Sequence, residues 1–264
     1  MNILQKIVQA KKSEIALLKS HYPEKNLKRS PFFKREPVSL KRALGKQNQE
    51  GIIAEFKRRS PSRGWINQGA NPVEIGLGYL QAGAIALSIL TDHQYFGGEA
   101  EDLMALRKSA TCPLLRKDFI LDEYQVIESK SIGADVILLI AAILTPEKTV
   151  RLAQLAANLG LETLLEIHTR EELSHYHSSI SMVGVNNRNL DDFSINFHAA
   201  FQLIPELPEN CIAIAESGIR NPEEIIKLRN AGYKGFLIGE SFMHTGNPEK
   251  ACKQMIQNLK QLKS

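Results

Sequence analysis

The sequence predicts an α/β fold, a (β/α)8 TIM barrel closed on itself and preceded by an N-terminal helical extension. Three observations predict it. From Gly51 onward, eight short apolar runs alternate with helical patterns. The runs are rich in Ile, Leu and Val without clean in/out alternation, as strands of a parallel sheet covered on both faces are. The helical segments open repeatedly on a capping residue followed by proline.

Taken in order, residues 2–19 place Ile3, Leu4, Ile7, Val8, Ile15, Leu17 and Leu18 among lysines, an amphipathic helix. His21 to Pro37 is polar, basic and broken by Pro23, Pro31 and Pro37, so it reads as a loop over something else. A short helix follows Ser39, with Leu40, Ala43 and Leu44 on one side. Residues 1–50 form the extension and 1–264 a single barrel domain.

The strands read as Ile52–Lys57, Ala84–Leu90, Pro113–Lys117, Ala134–Ile140, Leu161–Glu166, Ser181–Asn186, Cys211–Glu216 and Lys234–Gly239. Asn71-Pro72, Thr145-Pro146, Asn221-Pro222 and Asn247-Pro248 start helices, Asp122 and Thr169 are further caps, and Gly83, Gly133, Gly160 and Gly232 stand where helices hand over to strands. An open doubly wound sheet is the competing architecture. Eight consecutive units without a long crossover or a Gly-rich dinucleotide turn favour the barrel. Gly76 and Gly78 lie inside the first barrel helix, where each costs roughly 1 kcal/mol relative to alanine, so they mark close packing or local softness.

Bulk properties narrow the function. A chain of 264 residues with 43% hydrophobic and 23% charged residues has material for a full core. Its net charge of +4 is too balanced for a dedicated nucleic-acid binder but suits a small anionic ligand. Cys112, Cys211 and Cys252 are widely spaced and without metal spacing, which fits a reducing cytoplasm. Lys6, Lys11, Lys12 and Glu14 interrupt any signal-peptide core, and no window approaches the ~20 apolar residues of a membrane span.

The chemistry gathers at the strand ends, where a barrel of this type places its active site. Glu55 and Lys57 sit two residues apart and share one face of the first strand. Taken alone they read equally well as an ordinary ion pair. Lys117, Glu166, Asn186 and Glu216 end the third, fifth, sixth and seventh strands, so six polar groups converge on one mouth. A purely structural network of that size is a costly way to close an apolar barrel. Glu216-Ser217-Gly218 and Gly239-Glu240-Ser241 end the last two strands, where backbone N–H groups commonly hold a phosphate; with Ser60-Pro61-Ser62 they point to a phosphorylated substrate.

Seven ordered motifs resemble the indole-3-glycerol phosphate synthase family. They are Glu55-Phe56-Lys57-Arg58-Arg59-Ser60-Pro61-Ser62, Ser88-Ile89-Leu90-Thr91-Asp92 with Tyr95-Phe96-Gly97-Gly98, Leu115-Arg116-Lys117-Asp118-Phe119, Leu165-Glu166-Ile167-His168, Gly184-Val185-Asn186-Asn187-Arg188-Asn189-Leu190, Ala215-Glu216-Ser217-Gly218-Ile219 and Leu237-Ile238-Gly239-Glu240-Ser241. The resemblance runs through nearly the whole chain. It implies ring closure of 1-(2-carboxyphenylamino)-1-deoxyribulose 5-phosphate with loss of carbon dioxide and water, no metal and no organic cofactor. It casts Lys117 as the general acid, Glu166 as the acid/base of dehydration, Lys57 as an anion binder and Arg188 as an anthranilate-side group. Glu55, Asn186 and Glu216 orient the catalytic groups and sugar hydroxyls.

Phe96, Leu138 and Phe193 are the expected walls of an apolar ring slot. Ser60, Ser217, Gly218, Gly239 and the backbone of Glu240 are expected around the phosphate, with the Glu240 side chain turned away. Residues 58–69, holding Gly64, Trp65 and Gly69, read as a lid. His175 and His177, two apart on a predicted helix, do not form a metal site, and His168 reads as a loop histidine capping the next helix.

The run Lys57-Arg58-Arg59 with Arg63 reads as a phosphate-facing loop with solvated arginines rather than a nucleic-acid patch. Competing readings are a phosphoribosylanthranilate isomerase type of barrel and a noncatalytic barrel that binds a phosphometabolite. The chain ends soon after the eighth helix, so no fused enzyme domain is expected, and a monomer or weak homodimer with no nucleic-acid or membrane partner is the expected state.

Overall fold

The computed structural model of the chain describes residues 2–189, 194–209 and 211–262. Eight parallel strands close into a barrel: β1 Ile52–Phe56, β2 Ala86–Leu90, β3 Leu114–Lys117, β4 Val136–Ile140, β5 Glu162–Ile167, β6 Met182–Asn186, β7 Ile212–Glu216 and β8 Gly235–Ile238. Closure is made by β1 against β8, with Ile53 opposite Leu237.

Period-2 alternation sorts the strands into two cores. Ile52, Ala54, Phe56, Leu87 and Ile89 face outward into the ring of helices. Ile53, Leu115, Leu138, Leu164, Met182, Ile214 and Leu237 fill the barrel. The inward parity continues to Glu55, Lys117, Glu166, Asn186 and Glu216, so apolar interior gives way to charge at one end.

The four Asn-Pro and Thr-Pro starts are observed caps with proline in the first turn. Gly76 and Gly78 mark close packing. A Cβ there would lie 2.8 Å from Leu106 Cδ1 and 2.7 Å from Glu249 Cβ respectively.

The extension touches both ends of the barrel. Its first helix, Ile3–His21, buries Ile7, Lys11 and Ile15 at helical spacing, and Ile3, Leu4 and Ile7 reach the mouth. The helix Leu40–Leu44 plugs the opposite end with Leu40 and Leu44, its first turn held by Glu162, which accepts from the Leu40 and Lys41 N–H groups. Between them the loop runs down the outside and includes a short helix, Glu24–Leu27, because Leu27 packs on Tyr124 and Ile127.

One crossover differs from expectation. The segment after β5 is a single 3-10 turn, Glu171–His175, and Thr169 does not cap it. Glu172 instead turns back and accepts from the His168 and Thr169 N–H groups, which fixes a tight turn in place of a longer helix.

Candidate active site

Lys117 is the centre of the mouth. Its Nζ lies 2.6 Å from Glu166 Oε2 and 2.9 Å from Glu216 Oε2. Asn186 Nδ2 donates to the other oxygen of Glu166 at 3.0 Å, while on β1 Lys57 Nζ donates to Glu55 Oε1 at 2.9 Å. Glu55, Glu166, Asn186 and Glu216 are all buried.

Two bare backbone positions make room for these carboxylates. A Cβ on Gly184 would meet Glu216 Oε1 at 2.0 Å, and one on Gly239 would meet Glu55 Oε1 at 2.5 Å. A glycine inside a strand is a signal of such close approach, so Gly184 was open to sequence reasoning.

Electrostatics separate the two carboxylates that share Lys117. Burial alone would lower the lysine pKa, and the charges of Glu166, Glu216 and Glu55 more than reverse it, so the ammonium form persists. Burial alone would raise Glu166, but Lys117, His168 and the Asn186 hydrogen bond hold it down to about 2. For Glu216 burial prevails, helped by Glu166 and Glu55 against Lys117, and its carboxyl is pushed up to about 7. One lysine cannot neutralise two buried neighbours, and the cost falls on Glu216.

Behind this centre lies an apolar wall. Phe96 and Leu138 line the cavity as expected, and Phe119 joins them, its ring 6.0 Å from that of Phe96. Phe119 shares parity with Lys117 two residues earlier, a signal the sequence carried. Phe193 lies outside the described residues. Ile3, Leu4 and Ile7 complete the wall from the extension, a placement with no local signature in the sequence.

The other side of the cavity is polar. Ser60, Ser217, Gly218 and Gly239 line it together with Glu240. Ser217 and Gly218 both have positive φ, 65° and 80°, and Asn187 steadies that turn by donating from Nδ2 to the Glu216 and Ser217 carbonyls.

The Glu240 side chain does not turn away. Its carboxylate faces Arg188 Nη2 at 2.7 Å and Arg63 Nε at 3.1 Å, because two guanidinium groups from neighbouring loops draw it into the mouth. Arg58 is not solvated either: it grips Asp102 through both terminal nitrogens and donates to the Gly97 carbonyl, anchoring the base of the 58–69 loop. That loop folds back as a two-residue ladder, Arg59–Ser60 against Gly64–Trp65.

His168 does not cap the next turn. Its ring lies between Glu166 and Glu172. His175 Nδ1 is 2.9 Å from Thr149 Oγ1, away from the mouth. Among the described residues no cluster of His, Cys, Asp and Glu side chains could hold a metal ion, and no helix is long and apolar enough to cross a membrane.

A buried lysine between two carboxylates, with an aromatic slot on one side and a polar Ser217-Gly218 turn on the other, can protonate an oxygen on a substrate that is both aromatic and anionic. The fold alone is shared with tryptophan synthase subunit alpha from Legionella pneumophila, with a TM-score of 0.61 at 12% identity over 84% of this chain and 97% of that one. Sequence relatives are much nearer. An indole-3-glycerol phosphate synthase from Bacteroides thetaiotaomicron is 47% identical over 98% of this chain and 99% of its own length. One from Campylobacter jejuni is 40% identical over 96% of this chain and the whole of its own. The profile described as Indole-3-glycerol phosphate synthase matches residues 4–255, and the chain belongs to that family.

Proposed function

We infer that this mouth closes the indole ring of 1-(2-carboxyphenylamino)-1-deoxyribulose 5-phosphate, releasing carbon dioxide and water to give indole-3-glycerol phosphate for tryptophan biosynthesis. The observation that carries the reading is the Lys117 ammonium held between Glu166 and Glu216 beside an aromatic slot.

As the substituted ring carbon attacks the ketone, negative charge grows on the ketone oxygen. An alkoxide is a far stronger base than an amine, so Lys117 can give up its proton even with its affinity raised. Once that charge is spent, Glu166 loses the neighbour that held its pKa down and becomes able to carry a proton in the dehydration step. The shared ion pair supports closure before dehydration.

The remaining roles are those the family resemblance implies, and the place of these side chains around one cavity supports them. Glu55, Asn186 and Glu216 orient these two groups and the sugar hydroxyls. Lys57 and Arg188 meet the anionic ends, with Arg188 on the anthranilate side, and Phe96, Leu138 and Phe119 hold the ring. The phosphate rests on Ser60, Ser217, Gly218, Gly239 and the Glu240 N–H. The protein acts as a single cytoplasmic barrel domain, monomer or weak homodimer, without nucleic acid, membrane or cofactor.

The test is to add the substrate to purified protein and follow indoleglycerol fluorescence. Turnover is expected in the wild type and a loss of at least about 10²-fold in kcat in Lys117→Ala. A folded wild type without turnover overturns the assignment, and a Lys117→Ala variant near wild-type rate removes Lys117 from the chemistry.

A further inference from the structure

His168 follows Glu166 by two residues, just past the strand's end, and its ring comes up beside the Glu166 carboxylate. Its Nε2 is 3.7 Å from Glu166 Oε1 and its Nδ1 is 3.6 Å from Glu172 Oε2. Both ring nitrogens are shut off from solvent, yet among the described residues neither completes a hydrogen bond. A small rotation gives either one a carboxylate. Glu172 is the outermost of the three, its side chain 18% exposed against 3% for Glu166. Three titratable groups therefore form a line from the barrel interior to its surface.

The proposed ring closure consumes a proton. The bond to the carboxylate carbon breaks and its electron pair returns to the ring, so an anion leaves as neutral carbon dioxide. The ketone oxygen takes up two protons and departs as water. The carbon beside the ring nitrogen gives one proton back. The balance is one proton drawn from solution per turnover.

We propose that Glu172, His168 and Glu166 form a proton relay that brings this proton from solvent to the catalytic centre, with His168 a positioning residue that acts through Glu166. A proton reaching Glu172 passes to Nδ1, the imidazolium gives its Nε2 proton to Glu166, and the ring resets by rotation. The charged groups facing the ring are Glu166 at the end of β5, Glu172 from the turn after it and Glu216 from β7. Burial lowers the imidazole pKa, and these three carboxylates raise it above the ordinary histidine value, which favours the imidazolium the relay uses.

The relay rests on the synthase reading, and the experiment separates the two. Turnover is measured across pH for the wild type, His168→Asn and His168→Gln, with and without added imidazole. The His168 ring is also titrated by NMR in the unliganded protein. In His168→Asn, kcat is expected to fall by roughly a hundredfold with KM nearly unchanged, the low end of general acid–base effects. Rising imidazole should restore it while leaving the wild type indifferent. The ring pKa should drop by about one unit in Glu166→Gln and in Glu172→Gln.

Equal kcat in wild type and His168→Asn overturns the relay alone. So does a loss that imidazole does not restore, or a ring pKa indifferent to both carboxylates. A wild type without turnover overturns the synthase reading and takes the relay with it.

Discussion

Gly184 on β6 gives Glu216 on β7 the space its carboxylate occupies: a Cβ there would stand 2.0 Å from Oε1 and 3.2 Å from Leu164 Cδ1. The nearer atom is the free end of a side chain, so Gly184→Ala is relieved by moving the carboxylate rather than the strand. Overpacking of this kind costs about 1–3 kcal/mol, and a shift of an ångström at a catalytic group costs on the order of 10²-fold in rate. The variant is expected to fold, with a modest drop in melting temperature and a large drop in kcat. Thermal melts paired with steady-state rates check this, and a wild-type kcat in Gly184→Ala would show that the position of Glu216 does not matter.

The raised pKa of Glu216 makes stability depend on pH in a definite direction. An unfolded glutamate titrates near ~4.3, whereas burial, with Glu166 and Glu55, pushes Glu216 up to about 7. Between those values the folded state binds the extra proton, so the stability this group contributes is fully present below the unfolded value and is lost as pH rises through the folded one. Glu166, held down to about 2, works the other way, and its contribution is lost as pH falls below the unfolded value toward 2. In denaturant titrations from pH 5 to 7, wild type should lose stability relative to Glu216→Gln, by up to about 1.4 kcal/mol per pH unit. Parallel curves for the two proteins would place the proton elsewhere.

What the sequence disclosed is what local geometry controls. Proline after a capping Asn or Thr starts a helix wherever the chain goes next, and a two-residue period fixes which face a strand-end charge takes. Eight strands and six mouth residues were legible for that reason, and Phe119 was legible by the same parity although the aromatic wall was sought at Phe193. The turn after β5 was not, because Glu172 spends its carboxylate on the His168 and Thr169 N–H groups where a helix start was expected. The direction of Glu240 was missed because it depends on Arg63 and Arg188, which are remote in the chain. The docking of the first helix is of the same kind, settled by partners more than seventy residues away.

That docking turns on Lys11, which is 1% exposed. Its Nζ lies 2.9 Å from Asp92 Oδ2, 3.2 Å from Asp118 Oδ1 and 2.8 Å from Glu14 Oε2. Burial alone would lower its pKa, and Asp118, Asp92 and Glu14 reverse the sign, so the ammonium stays charged in the folded protein. Lys11→Met keeps the length and removes the charge, leaving Asp92 and Asp118 with less compensation. Asp118 retains Arg116 and Thr91, and Asp92 retains the Tyr95 N–H, so the loss should be roughly 3–4 kcal/mol, the lower part of the range for breaking a buried pair. Because Ile3, Leu4 and Ile7 of the same helix wall the cavity, the variant should also raise KM more than it lowers kcat. Limited proteolysis should cut within the first helix of the variant and spare the wild type. An unchanged cleavage pattern with unchanged KM would mean that the apolar contacts hold the helix without the lysine.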